Sequence, residues 1–412
     1  MNSVILSSII DIISGGTPDT SNAKYWDGNI GWLSVNDFKN NLRYVYNSEK
    51  KITELGLKNS STNLLEQGDI IISARGTVGA IAQIGFPMCF NQSCFGIRGK
   101  KEKISTDYLY YALKNYIKNI IKRSQGSVFN TINLASFDLM RIQIHDLVHE
   151  QHKITKILSD LDKKIEINYK INSKLEAITK LIYDYWFVQF DFPDENGKPY
   201  KSSGGKMVYD ENLKKEVPCV WSVRNISEML KICSGYPFKS ASYLNSGTYK
   251  IVTIKNVQDN KLVLDNTDLV NSIPSDIESS SILKLQDILI SLTGNVGRIC
   301  LVDEQNLLLN QRVGKFQTSP ILKNYFYLTY QTLEFRSWLE RISTGTSQKN
   351  LSPIEAVNRL HAFPDSSILI EFDQLVGPMI KKILSNLREN KKLESLRNWL
   401  LPMLMNDQIK VS

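Results

Sequence analysis

Hydrophobic residues fall along this chain in two alternating regimes. Over residues 1–145 and 223–365 they form short period-two runs cut by Gly, Asn and Ser, as in GDIIISARGTVGAIAQI from Gly68 and QDILISLTGNVGRICLV from Gln286. Both segments predict strand, tight glycine loop, strand. Each stretch also holds a tyrosine-rich helical segment, DYLYYALKNYIKNI from Asp107 and NYFYLTYQTLEF from Asn324. The mixture predicts two α+β domains. Residues 146–190 and 366–412 follow a helical heptad instead. Its a positions are Ile154, Leu161, Asn168, Leu175 and Ile182, and its d positions Ile157, Lys164, Ile171, Ile178 and Tyr185. In the second helix they become Phe372, Met379, Asn386, Leu393 and Leu400, with Leu375, Lys382, Glu389, Leu396 and Met403. Residues 191–222, rich in Pro, Gly and charge, read as a connector.

The two halves are one unit used twice, at an offset of about 218 residues, the self-similarity that betrays an internal repeat. Asp69, Ser73, Gly76 and Gly79 match Asp287, Ser291, Gly294 and Gly297, and Asn91-Gln92 match Asn310-Gln311. SQGS at Ser124 matches STGT at Ser343, and Asn168, Asn172, Leu175 and Glu176 match Asn386, Asn390, Leu393 and Glu394. A helix from about Glu150 to Phe187 would measure roughly 57 Å and centre on Asn168. If the two helices pack antiparallel about a pseudo-two-fold axis, Asn168 faces Asn386, and the buried pair fixes register. Leu161, Leu175, Met379 and Leu393 would pack the seam beside them. Alternatively each Asn only tolerates a half-exposed seam. Such helices would hold the domains at opposite ends of a rod, suited to DNA half-sites about 34 to 36 Å apart. Unlike domain sequences imply unlike half-sites.

Composition sharpens this picture. A chain of 412 residues exceeds one ordinary core and suits two domains. Five cysteines without a CxxC pair argue for a reducing compartment, the cytoplasm. The apolar start Val4 to Ile13 is interrupted by Asp11 and lacks a basic lead, so no secretory signal is expected, nor any membrane span. The net charge of +8 gathers outside the connecting segments, with 16 basic and 11 acidic side chains in residues 1–145. A polyanionic partner would suit that excess, as would a merely basic surface.

Catalytic signatures are missing. There is no G-x-x-x-x-G-K-[ST], no G-x-G-x-x-G opening a helix, and no Asn/Asp-Pro-Pro-aromatic tetrapeptide of the kind DNA amino-methyltransferases use. HEQH at His149 is one residue short of HExxH. His145, His149 and His152 could share a helical face, but solvated imidazoles at a helix entry are the simpler reading, so no metal is expected. PDSSILIEFD from Pro364 matches a nuclease carboxylate cluster only by chance, lacking the Lys. Tyr108, Tyr110, Tyr111, Tyr325, Phe326 and Tyr327 read as core.

The remaining signals concern DNA binding. In SARGTVG the glycines permit a turn presenting Arg75, Gly76 and Thr77, where Arg could grip a guanine edge or a phosphate; the second copy offers Thr293 and Asn295. A plain hairpin turn explains the same glycines. Asn91, Gln92, Asn310, Gln311 and Arg312 could read base edges, yet amides also cap strands. Gln125 and Ser127, with Thr346, Ser347 and Lys349, form loops suited to phosphates.

These features together resemble the specificity subunits of type I restriction-modification systems. The resemblance spans nearly the whole chain. It rests on GGTPDTSNAKYWDGNIGWLSVNDF, the paired GDIIIS and QDILIS, HEQHKITKILSDLDKKIEIN, YDYWFVQFDFP, KEVPCVWSVRNI and LRNWLLPMLMNDQIKV. It implies two target recognition domains (1–145 and 223–365), each followed by a spacer helix, the helices pairing as an antiparallel coiled coil. It also implies a non-catalytic chain that reads a bipartite double-stranded DNA target and docks two methyltransferase subunits, with restriction subunits in the full complex. S-adenosylmethionine, ATP and Mg would reside on those partners and no cofactor on this chain. Two other readings remain: a coiled-coil scaffold carrying two protein-interaction domains, and the DNA-reading module of a nuclease-methyltransferase outside type I.

Overall fold

The computed structural model describes residues 1–40, 42–75, 78–123, 131–345 and 348–411. It divides into two compact units, residues 1–167 with 390–412, and residues 168–389. Each unit therefore combines one strand-rich domain with a segment of both long helices, Val148–Tyr183 and Ser366–Met405.

In the first unit a five-stranded sheet runs in the order Ile10–Ser14, Cys94–Gly99, Ile70–Ser73, Ile81–Ile84, Tyr44–Val45. A three-stranded sheet, Lys50–Ile52, Trp26–Leu33, Cys89–Phe90, lies in the same unit, and Asn2–Ile5 pairs with Arg141–Ile144. The second unit repeats this plan. Its four-stranded sheet is ordered Leu230–Ser234, Val313–Thr318, Ile288–Ser291, Ile299–Leu301, its three-stranded sheet Leu269–Val270, Tyr249–Val252, Leu307–Leu309, and Ser222–Asn225 pairs with Leu360–Phe363. The central strands Ile70–Ser73 and Ile288–Ser291 are buried at every position, as expected of strands covered on both faces. The five-stranded sheet and both three-stranded sheets mix parallel with antiparallel pairs, whereas the four-stranded sheet is antiparallel throughout. The tyrosines expected in the core are there: Tyr108, Tyr110, Tyr111, Tyr325, Phe326 and Tyr327 are all buried. The connector forms the hairpin Met207–Asp210 with Lys215–Pro218.

The two domains dock on their helices by different chemistry. In the first unit the contact is a buried ion and hydrogen-bond network. Arg43 donates to Gln83 at 2.6 Å, to Asp107 at 2.7 Å and to the Tyr111 hydroxyl at 3.2 Å. Tyr111 donates to Asp162 at 2.6 Å, and Arg397 from the other helix donates to the second Asp162 oxygen at 2.5 Å. In the second unit the corresponding contact is aromatic. Phe187 lies 4.7 Å from Phe372 and 4.9 Å from Tyr325, both edge-on, a geometry that adds to simple area burial.

Within each unit the helix segments run antiparallel, because Asp162 meets Arg397 while Ile165 meets Asn390, and Asn172 meets Asn386 while Tyr183 meets Phe372. The buried seam keeps the expected a positions Ile154, Asn168, Phe372 and Asn386 but lies one residue beyond the expected d positions. Leu158, Asp162, Ile165, Asn172, Thr179 and Tyr183 are buried, as are Val376, Ile383, Asn390, Arg397 and Leu404. The expected d positions Ile171, Ile178, Leu375 and Leu396 are exposed, and Leu161, Leu175, Met379 and Leu393 are half-buried.

The expected opposition of Asn168 and Asn386 is corrected as well. Both are buried, but the Asn386 amide donates to Asn172 Oδ1 at 2.8 Å and the Asn168 amide to Glu389 at 2.8 Å. The one-residue shift at the d positions brings Asn172 into the seam, where it takes up the Asn386 amide. Asn172 also donates to the Ile383 carbonyl, whereas Asn386 Oδ1 is buried without a partner. An unsatisfied buried acceptor is costly, so replacing both Asn172 and Asn386 with Leu should stabilise the second unit by about 1–2 kcal/mol. Asn172→Leu alone should destabilise it, since the Asn386 amide then loses its acceptor too. Thermal denaturation of the two variants decides this; a double variant that melts below the single one would overturn the assignment.

Candidate nucleic-acid interface

The duplicated strand-loop-strand segment closes the same way in both domains. Ser73 N donates to Ala80 O at 2.9 Å, Ala80 N to Ser73 Oγ at 2.9 Å, and Gly79 N to Ser73 O at 3.1 Å. Ser291, Arg298 and Gly297 repeat these bonds at 2.9, 3.0 and 3.0 Å. Gly79 and Gly297 adopt φ of 86° and 77°, a conformation that disfavours any side chain. The repeated Ser and Gly thus build the hairpin.

Further backbone bonds lay neighbouring loops beside this one. In the first domain Gly16 N donates to Phe90 O, Ala74 N to Ser93 O, and Ile132 N to Ala74 O, at 2.8 to 3.0 Å. In the second, Tyr236 N donates to Leu309 O, Leu292 N to Arg312 O, and Leu351 N to Leu292 O, at 2.8 to 3.1 Å. Each domain therefore gathers its loops onto one rim through the same frame. Antiparallel strands supply paired ends, and a loop bonded to its neighbours presents side chains from a rigid base.

The rims differ in what they display. On the first, Arg75 and Gln92 are exposed, and the Gln92 amide oxygen accepts the Thr17 hydroxyl. On the second, Asn295, Gln311, Arg312 and Lys349 are exposed, with Lys349 O accepting Gly294 N at 2.8 Å. Two expectations need revision. Thr293 is buried and forms a β-bridge with Asn350, so its hydroxyl is not displayed at a loop tip. Asn91 and Asn310 are half-buried and turn their amide oxygens inward onto Ser93 N at 3.1 Å and Arg312 N at 3.3 Å, closing their own turns. Such turns are a standard use of Asn. Gly76, Thr77, Gln125, Ser127, Thr346 and Ser347 lie outside the described residues.

The loops after Ile10–Ser14 and Leu230–Ser234 were not singled out from the sequence, yet they complete each rim. They bring Thr17 to Gln92, and Tyr236 to Asp276, whose carboxylate accepts the phenol at 2.9 Å. The signal was available in the repeated glycines Gly15 and Gly235 directly after an alternating strand.

Among the described residues no group of His, Cys, Asp and Glu is arranged to hold a metal, and no helix is long and apolar enough to cross a membrane. His149 and His152 are exposed as expected, but His145 is buried and shares a hydrogen with the Tyr108 hydroxyl at 2.8 Å through Nδ1. His361 makes the corresponding bond to Tyr325 at 2.7 Å, and burial holds its imidazole down to about 3, far below the ordinary value. His145 is a core histidine, and His361 is half-buried.

Residues 1–177 and 218–355 match the family described as Type I restriction modification DNA specificity domain. The specificity subunit of the type I restriction enzyme MjaIX from Methanocaldococcus jannaschii is 27% identical over 420 residues, covering 98% of this chain and 93% of its own length. That of HindI from Haemophilus influenzae is 24% identical over 344 residues, covering 70% and 73%. The fold is shared with the S subunit of a type I restriction-modification system from M. genitalium, at a TM-score of 0.58 and 16% identity over 98% of this chain and 95% of that one. The matched segments take in both copies of the repeat, and the chain belongs to the family of type I restriction-modification specificity subunits, which recognise DNA and carry out no catalysis themselves.

Proposed function

We propose that this subunit reads an asymmetric, two-part DNA target with an unread gap, one half-site per domain, while its helices and connector dock two methyltransferase subunits. The observation that carries this reading is the pair of rims: equivalent backbone bonds hold the loops in both domains and Gln92 and Gln311 are common to both, but Arg75 stands on one where Asn295, Arg312 and Lys349 stand on the other. Side chains reaching base edges specify sequence, whereas those on phosphates position the duplex. A conserved frame with exchanged side chains is what reading two unlike half-sites requires.

Docking has its own support. Large apolar side chains stay exposed on the helices: Ile171, Ile178 and Leu181 in the second unit, Leu396 and Trp399 in the first. Exposed apolar surface of this kind suits coverage by another subunit. S-adenosylmethionine would be bound by the methyltransferase subunits, and ATP with Mg by restriction subunits joining the full complex.

Mapping methylated adenines in cells that carry the system tests the reading directly. Two unlike half-sites separated by a fixed gap are expected; a single symmetric motif would sink it. Arg75→Ala separates base from phosphate contact: loss of a base contact should cost about 1–3 kcal/mol and relax one half of the motif. Loss of a phosphate contact would weaken all sequences evenly and lower the salt slope by about one.

A further inference from the structure

In the first unit a cavity of about 370 Å³ opens beside Gly79, the hinge residue of the duplicated hairpin. Four cationic side chains, Lys39, Lys114, Lys118 and Arg397, line it against one carboxylate, Glu394. Arg397 is already answered by Asp162 at 2.5 Å. The Lys114 ammonium donates to the Tyr110 hydroxyl at 3.1 Å and, among the described residues, forms no ion pair. Burial and the nearby Arg397 push this lysine down to about 8, against the opposing pull of Asp162 and Glu394. Phe38, Ile81 and Leu401 supply an apolar wall.

The second domain carries the counterpart of this cavity, and the comparison is informative. Gly297 and Ile299, the repeat counterparts of Gly79 and Ile81, line it. There the volume is only about 120 Å³, and two cations, Lys180 and Arg336, meet two carboxylates, Asp184 and Asp259. Arg336 is paired with Asp259 at 2.8 Å. The hairpin glycine and the apolar residue two positions on line both pockets, but cations and carboxylates are equal in number around the second and four to one around the first.

We propose that the first-unit pocket holds a phosphate group, with Lys39, Lys114, Lys118 and Arg397 as its cations. Space for more than a bare anion, together with the apolar wall, suits a phosphate ester, supplied either by a small molecule or by the backbone of bound DNA. Because Gly79 forms part of the wall, occupancy would bear on the hairpin that presents Arg75.

The test uses the full chain with inorganic phosphate as probe. Phosphate stabilises most proteins as an excluded solute, so the decisive comparison is with a variant under identical conditions. Lys39→Gln with Lys118→Gln alters the accessible side of the pocket and leaves the buried network in place. Melting temperature should rise with phosphate in the original protein, and the apparent affinity should fall about tenfold or more in the variant. Equal responses in the two proteins, or none in either, overturn the proposal, whatever DNA binding does. Given a phosphate response, the salt dependence of DNA binding identifies the source. A slope lowered by about one in the variant assigns the phosphate to the duplex, and an unchanged slope assigns it to a free ester.

Discussion

Asp162→Ala should destabilise the first unit by about 3–5 kcal/mol, the cost of breaking a buried ion pair from one side. The side chains of Asp162 and Arg397 are 3% and 5% exposed, so water cannot replace either partner. Asp162 uses both carboxylate oxygens, one for Arg397 and one for the Tyr111 hydroxyl. Its removal leaves Arg397 only the weak contacts to Asn398 at 3.3 to 3.4 Å, in a region that also holds Lys114 and Arg43. Combining Asp162→Leu with Arg397→Met removes the charges together, and apolar replacement of a buried pair is commonly neutral or stabilising. The double variant should therefore recover most of the loss. Denaturation midpoints and amide exchange across residues 1–167 and 390–412 measure the cycle. A loss below about 1 kcal/mol for Asp162→Ala, or a double variant no better than the singles, would show that the network does not hold the domain to its helices.

The same network explains where sequence reasoning fell short. The repeat, the α+β domains and both long helices were legible, because they depend on local periodicity and on matched glycines such as Gly79 and Gly297. The facing surface of the helices was not. A heptad sought by hydrophobicity prefers Ile171, Ile178 and Leu375, yet the structure leaves these outside and turns Asp162, Asn172, Thr179, Asn390 and Arg397 inward. Polar side chains that satisfy one another across two helices are invisible to a pattern that scores each position alone. Polar specification of a helix pair is a recognised use of such residues.

At the rims the limit was different in kind. Exposure of Arg75 and Arg312 could be anticipated from a polar residue beside a glycine turn. That Thr293 bridges to Asn350, 57 positions later in the chain, could not, because the pairing depends on a loop returning from far away. Likewise, the sequence allowed Asn91 and Asn310 either a base contact or a local cap, and the structure shows their amide oxygens accepting from Ser93 N and Arg312 N.

Gly15→Ala and Gly235→Ala should each disable one rim and spare the other. A Cβ on Gly15 would sit 2.1 Å from the Asn91 carbonyl oxygen, and one on Gly235 would sit 2.2 Å from that of Leu309. Both obstacles are backbone, so no rotamer change relieves them, and the rim loops must separate. Overpacking of this kind costs about 1–3 kcal/mol, occasionally more. The displaced bonds are Gly16 N to Phe90 O in one domain and Tyr236 N to Leu309 O in the other. If each domain reads its own half-site, methylation mapping with Gly15→Ala should show one half of the motif degraded and the other intact. Gly235→Ala should reverse the pattern. Degradation of the same half by both variants would break the assignment of one half-site to each domain. Neither glycine carries a side chain that could touch a base. A defect confined to one half would therefore trace reading to the placement of the loop backbone, the one element that both rims share.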